Sequence, residues 1–287
     1  MAFLSILIAL LIERIVPRFI EFRRFGWLRD YSQWMVDLLH LDRLGAWLAS
    51  ALLLLPMLLL VWLLDAMFDN ALFGLFELAF NLLVIFLCLG PKELDSQIEQ
   101  YLDSIEIGDT QRRFNMAGQM SSDEVAMELP AQVIQVSRAL LVQANSRLFA
   151  VMFWFVLLGP VGAVLYRLME RLLNQNYLEQ SMQPVKQVMR TMLGWIDWIP
   201  ARISLFAYMV SGAFEEGLQA YHCGSVSAMD HYELNHELLQ QVGSACITQH
   251  DVSDEKLAMQ LLRKTRGLIL RAMVVWLLLV LLLNFML

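Results

Sequence analysis

Charged side chains are scarce in this sequence. They make up 17% of its 287 residues, while 58% are hydrophobic; a soluble globular domain carries roughly 25% charged residues. The shortage is local: charges are missing from apolar blocks close to the roughly 20 residues needed to cross the hydrocarbon core of a bilayer. An excess of positive charge is lacking too. With 21 Lys and Arg against 28 Asp and Glu, the formal net charge is −7, so a nucleic-acid partner has no electrostatic basis. Cysteine is limited to Cys88, Cys223 and Cys246, an odd number with no CxxC spacing, which argues against a disulfide framework. No P-loop, GxGxxG, GxSxG or HExxH string is present. The five histidines, His40, His222, His231, His236 and His250, follow no zinc-ribbon spacing. The apolar start from Met1 to Ile12 has no basic residues ahead of it and no small-residue cleavage pattern, so it is expected to stay in the mature protein.

The apolar blocks imply an all-α fold: a polytopic helical membrane protein with cytoplasmic helical segments, organised as a single domain over 1–287. Residues 44–64, 71–90 and 267–287 read as membrane spans. Pro56 lies inside the first and Gly90-Pro91 closes the second, while Trp47 and Trp62 sit near the two ends of the first as interfacial aromatics do. Residues 1–16, 148–168 and 200–214 are apolar but short or interrupted. Segment 18–43 carries Arg18, Arg23, Arg24, Arg29 and Arg43 with Trp27 and Trp34 interleaved, the pattern of a juxtamembrane amphipathic stretch. The 65–70 loop has Asp65 and Asp69 but no cation, so the positive-inside bias places it outside and both outer flanks in the cytoplasm.

The middle of the chain admits two topologies. A simple crossing by 148–168 would put Arg167, Arg171, Lys186 and Arg190 outside, against that bias. A re-entrant hairpin turning at Gly159-Pro160 keeps both flanks cytoplasmic and is the preferred reading; two crossings, 148–168 and 200–214, are the alternative. Non-helical backbone is tolerated at membrane depth only where protein covers it.

Several polar residues at membrane boundaries are candidates for chemistry, each with a plain structural counterpart. Glu77 and Asn81 stand one turn apart in a span, where an ionisable residue is a functional candidate or a paired structural group. Glu13 and Arg14 follow the first apolar segment, where they could pair with later charges or snorkel to the interface. Asp197, Pro200, Ala201 and Arg202 form a compact D-x-x-P-A-R string, which also reads as a capped, Trp-anchored helix start. Arg138, Arg147, Arg167, Arg171, Arg190 and Arg202 flank the apolar middle. Converging, they would make an anion site; otherwise they express the positive-inside bias.

Three pieces carry a resemblance. These are the N-terminal helix ending in Glu13-Arg14, the string MFWFVLLGPVGAVLYRL with Phe153, Trp154, Gly159, Gly162, Ala163, Tyr166 and Arg167, and the Asp197 to Arg202 string. Together they resemble the AmpE family, within the CobD/CbiB superfamily of cobinamide-phosphate synthases, over essentially the whole chain. Gly108-Asp109 and Arg113 resemble that superfamily's G-D…A-R stretch, and Asn145-x-Arg147 looks like AmpE. The resemblance implies a multi-pass protein of the bacterial inner membrane, associated with β-lactamase induction and functionally linked to a cytoplasmic amidase that recycles cell-wall muropeptides. It also implies a ligand site for an anion near the cytoplasmic face, drawn from Glu13, Asp109, Arg113, Asn145, Arg147, Trp154, Tyr166, Arg167, Asp197 and Arg202, with no cofactor, no metal and no catalytic residue assigned. The alternative is an enzyme that forms an amide or ester with ATP and Mg²⁺, as the cobalamin synthases do. Their G-R-D-T and E-N-x-x-D strings are replaced here by Ala117-Gly118-Gln119-Met120 and by Gln143-Ala144-Asn145-Ser146-Arg147, which removes carboxylates suited to holding Mg²⁺ on phosphates.

Overall fold

The computed structural model describes residues 2–15, 26–40, 44–68, 75–121, 124–174, 182–224, 230–247 and 254–286, and these are helical with no strand. Parts of three expectations fall outside them: the basic residues at 18–24 and Arg43, the end of the 65–70 loop, and the start of the 71–90 span. The side chains of Glu13 and Arg14 also lie outside the described set.

The helices are α1 (Ala2–Ile15), α2 (Gly26–Leu39), α3 (Ala46–Phe68), α4 (Leu75–Cys88), α5 (Pro91–Glu106), α6 (Thr110–Met120), α7 (Leu129–Ala144), a π-helical turn (Asn145–Phe149), α8 (Ala150–Asn174), α9 (Gln183–Ile196), α10 (Trp198–Ser211), α11 (Phe214–Cys223), α12 (His231–Ala245) and α13 (Glu255–Met286). Among the described residues, three helical stretches are long and apolar enough to cross a membrane: Ala46–Phe68, the run Leu129–Asn174 and Glu255–Leu283. Their burial differs. The most apolar window is 56% buried in the middle run but 22% and 28% in the outer two, so the middle run is the core and α3 and α13 flank it. Residues 200–214 correspond to α10, whose 14 residues reach roughly 21 Å, less than the roughly 30 Å of hydrocarbon.

The outward faces of the flanking helices are apolar. Along α13, Leu270, Val274, Leu278 and Leu282 are exposed at four-residue intervals, while Trp276 and Val280 point inward. Along α3, Trp47, Leu55, Leu59 and Trp62 are exposed, while Ala49, Leu53 and Leu54 are buried. Such continuous patches suit lipid, not water. The N-terminal part of α13 is polar and grips the acidic helix α5: Arg266 Nε lies 2.6 Å from Asp95 Oδ1, and its Nη2 lies 3.1 Å from Glu99 Oε1. The amphipathic α2 is tied to α3 by the Tyr31 hydroxyl, which donates to the Leu53 carbonyl at 3.0 Å.

The core run turns back on itself at Gly159, whose φ of 66° and ψ of −154° belong to a region essentially reserved for glycine. Pro160 removes the next backbone donor and starts the second limb. The limbs then run close together. A Cβ built on Gly162 would lie 2.4 Å from the Trp154 carbonyl oxygen, although residues eight apart in one straight helix are about 12 Å apart. A helical hairpin turning at Gly159-Pro160 is therefore present, and neighbouring helices cover most of it.

Candidate functional site

The π-turn places the first group. One extra residue in the turn offsets the α7 and α8 faces and directs Asn145 toward the α9–α10 junction. There the Asn145 carboxamide donates to both oxygens of Asp197, at 2.9 and 3.1 Å. From the second limb, the Tyr166 hydroxyl donates to Asp197 Oδ1 at 3.0 Å. Ser204 donates to Asn145 Oδ1 at 2.7 Å, and Trp276 Nε1 lies 3.3 Å from the Ser204 oxygen. Phe149 of the π-turn stacks on Trp276 with centroids 5.7 Å apart. Asp197 makes no side-chain cap to α10; the helix-start reading of the D-x-x-P-A-R string does not describe its carboxylate. Burial pushes Asp197 up to about 7, while the hydrogen bonds from Tyr166 and Asn145 pull the other way. This knot joins both hairpin limbs, α10 and α13, and Asp197, Asn145 and Ser204 are all buried.

A second group lies at the open end of the hairpin. Arg147 and Arg171 are equally far along the chain from Gly159, on opposite limbs, and both reach Glu93 of α5: Arg147 Nη1 is 3.9 Å from Oε1, and Arg171 Nη2 is 3.4 Å from Oε2. Arg147 Nη1 also donates to Gln97 at 3.1 Å. Arg167 pairs with Glu170 at 3.0 Å, and Asn174 donates to the other Glu170 oxygen at 3.2 Å. Arg147, Glu170, Arg171 and Asn174 form part of the wall of a cleft of about 1190 Å³. Its other walls carry Gln119 and Ser121 at the end of α6, Gln135, Arg138 and Gln143 of α7, Arg190 of α9, and Tyr232, Glu233, His236 and Glu237 of α12. Arg190 is paired with Glu233 and lies 5.1 Å from the Tyr232 ring centroid. Burial, reinforced by Arg190, holds His236 down at about 4, so it faces the cleft as a neutral imidazole at pH 7.

The structure brings together only some of the sequence candidates. Asn145, Tyr166 and Asp197 meet in the buried knot, and Arg147 and Arg167 belong to the neighbouring charge cluster. Arg202 makes no hydrogen bond to the knot: it bonds Asn235 and lies 5.0 Å from the Trp198 ring centroid, while its charge still acts on Asp197. Asp109 caps α6 by accepting from the Arg112 amide at 2.9 Å. Arg113 donates to Gln132 at 2.7 Å, beside Tyr101. Trp154 packs edge-on against Phe153, and its carbonyl faces Gly162 of the other limb. Sequence reasoning missed Glu93, Gln97, Glu170 and Asn174. Glu170 carried a signal, because Arg167 and Glu170 stand three residues apart on one helix face; Glu93 carried none, since its partners are distant in sequence. Among the described residues, no group of three or more His, Cys, Asp or Glu is placed to hold a metal ion.

A family model described as "Regulatory signalling modulator protein AmpE" matches residues 1–284. A cobalamin biosynthesis protein CobD from Chromobacterium violaceum is 26% identical over 214 residues, covering 71% of this chain and 64% of that protein. A second protein so named, from Stutzerimonas stutzeri, is 26% identical over 184 residues, covering 60% of this chain and 56% of that protein. The chain thus spans less than two thirds of the length of the curated relatives it matches. No solved structure matches.

Proposed function

The chain belongs to the AmpE family, and on that premise we propose that it is a multi-pass regulator of the bacterial inner membrane that links cell-wall recycling to β-lactamase induction by binding an anionic ligand at its cytoplasmic face. The observation that carries this reading is the cleft between the hairpin and α12, where Arg138, Arg147, Arg171 and Arg190 line one space. Guanidinium groups in a half-enclosed site recognise carboxylates and phosphates by bidentate hydrogen bonds. Gln119 and Gln143 line the same cleft, Gln143 Oε1 has no hydrogen-bond partner among the described residues, and these carboxamides suit a ligand with amide as well as acidic groups, as a muropeptide has. A ligand touching both the hairpin and α12 would favour one separation of those elements, and that differential affinity would transmit the signal. A functional link to a muropeptide amidase fits this reading.

Isothermal titration of the detergent-purified protein against nucleotides and muropeptides tests the proposal. Saturable binding that Arg147→Ala abolishes is expected. Absence of binding to every probe, or binding unchanged in Arg147→Ala, overturns it.

The CobD relatives favour a second reading, an ATP-dependent amide- or ester-forming enzyme. Its requirement for Mg²⁺ on phosphates meets a poor fit: Asp109 is engaged in a helix cap and Asp197 in a knot of donors.

A further inference from the structure

The charge cluster at the open end of the hairpin contains three guanidinium groups and two carboxylates, and the two carboxylates are held very differently. Glu170 is buried, sits 3.0 Å from Arg167 and accepts from Asn174 with its second oxygen. Glu93 reaches its arginines only at 3.4 and 3.9 Å, beyond the roughly 2.7–2.9 Å of a well-made charge-assisted hydrogen bond. Its side chain is 25% exposed, whereas that of Arg147 is 12% exposed. Each Glu93 oxygen faces one arginine, one from each limb of the hairpin. A carboxylate of the protein's own therefore stands where a two-point anion would be clamped, and it is loosely held.

We propose that Glu93 is a built-in stand-in for the ligand, and that the carboxylate or phosphate group of an incoming ligand displaces it from the clamp formed by Arg147 and Arg171. This inference rests on the anion-binding reading and adds the subsite and the competing group. The consequence is mechanical. Glu93 lies in the first turn of α5, and the same helix is fastened to α13 through Asp95 and Glu99. Releasing Glu93 frees the α5 start from the hairpin while its body stays tied to α13.

The test is titration of the full chain in detergent with inorganic phosphate and, separately, with succinate. Glu93→Gln is expected to tighten binding about two- to five-fold, the scale of one part-exposed ion pair, and Arg147→Ala and Arg171→Ala to abolish it. Glu99→Gln makes the same charge change on the same helix but outside the clamp, and is expected to leave affinity unchanged. Equal tightening by Glu99→Gln, or no tightening by Glu93→Gln in a protein that binds the anion, overturns the displacement while leaving the anion-binding reading intact. Failure of both wild type and Glu93→Gln to bind any probe overturns both. Micelles containing phosphatidylglycerol identify the source: competition with phosphate there assigns the clamp to a lipid headgroup, and its absence to a soluble anion, displacement of Glu93 holding in either case. Elution of Glu93→Gln as wild type in size exclusion checks its fold, and Glu93→Ala repeats the measurement.

Discussion

Asn145 donates to both carboxylate oxygens of Asp197, 52 residues away in sequence, and so fastens the π-turn of the core run to the junction between α9 and α10. The bond is buried, which gives it leverage. A donor or acceptor left unpaired in such a place costs about 1–3 kcal/mol.

Titration of Asp197 gives the first prediction. Its folded pKa of about 7 lies above the ordinary value of 3.8, so its contribution to stability is fully present below about pH 4 and is lost as pH rises to about 7. The loss is on the order of a few kcal/mol. Asp197→Asn removes the ionisation, so the difference in thermal stability between variant and wild type should change across pH 4–7 and level off above it. Parallel pH profiles for the two proteins would contradict the assignment.

Gly162 gives a second. Any side chain there meets the Trp154 carbonyl and the Leu158 Cβ. Gly162→Ala should force the limbs apart and lower stability by about 1–3 kcal/mol, read as a fall in melting temperature in detergent. An unchanged melting temperature would mean that the limbs are not in close contact.

Arg147 and Arg202 separate binding from scaffolding. Arg147 lines the cleft, while Arg202 is spent on Asn235 and Trp198. Arg147→Ala should remove anion binding. Arg202→Ala should lower stability by about 1–3 kcal/mol and leave affinity within about two-fold. The opposite pattern would move the site toward α10.

Topology is the fourth. The end of α6 and Arg190 of α9 line the same cleft, so both belong on one side of the membrane. In a Cys223→Ser background, Gln111→Cys and Gln187→Cys should react with an impermeant thiol reagent only from the cytoplasmic face. Labelling of the two positions from opposite faces would replace the hairpin with a crossing.

The hairpin was legible because its determinants are local. Gly159 and Pro160 break an apolar run, and the cations at both ends of that run ask to stay on one side. Asn145 and Tyr166 were legible only as pieces of a resemblance, and Asp197 as part of its D-x-x-P-A-R string; nothing in their spacing says that they share one knot. Asp109 could be read two ways, because a carboxylate three residues before Arg112 serves as a helix cap, as it does here, as readily as a ligand. Glu93 was invisible, since an acidic residue in the first turn of a helix is ordinary.

By itself, the sequence determined the class of protein, the approximate helices and the place where the core run turns, because hydrophobic length, proline and glycine act over a few residues of chain. The tertiary structure decided which charges face each other, since ion pairs between α5 and the two limbs depend on how those helices pack. That packing separated the arginines that line the cleft from Arg202, which bonds Asn235 of α12 and packs on Trp198.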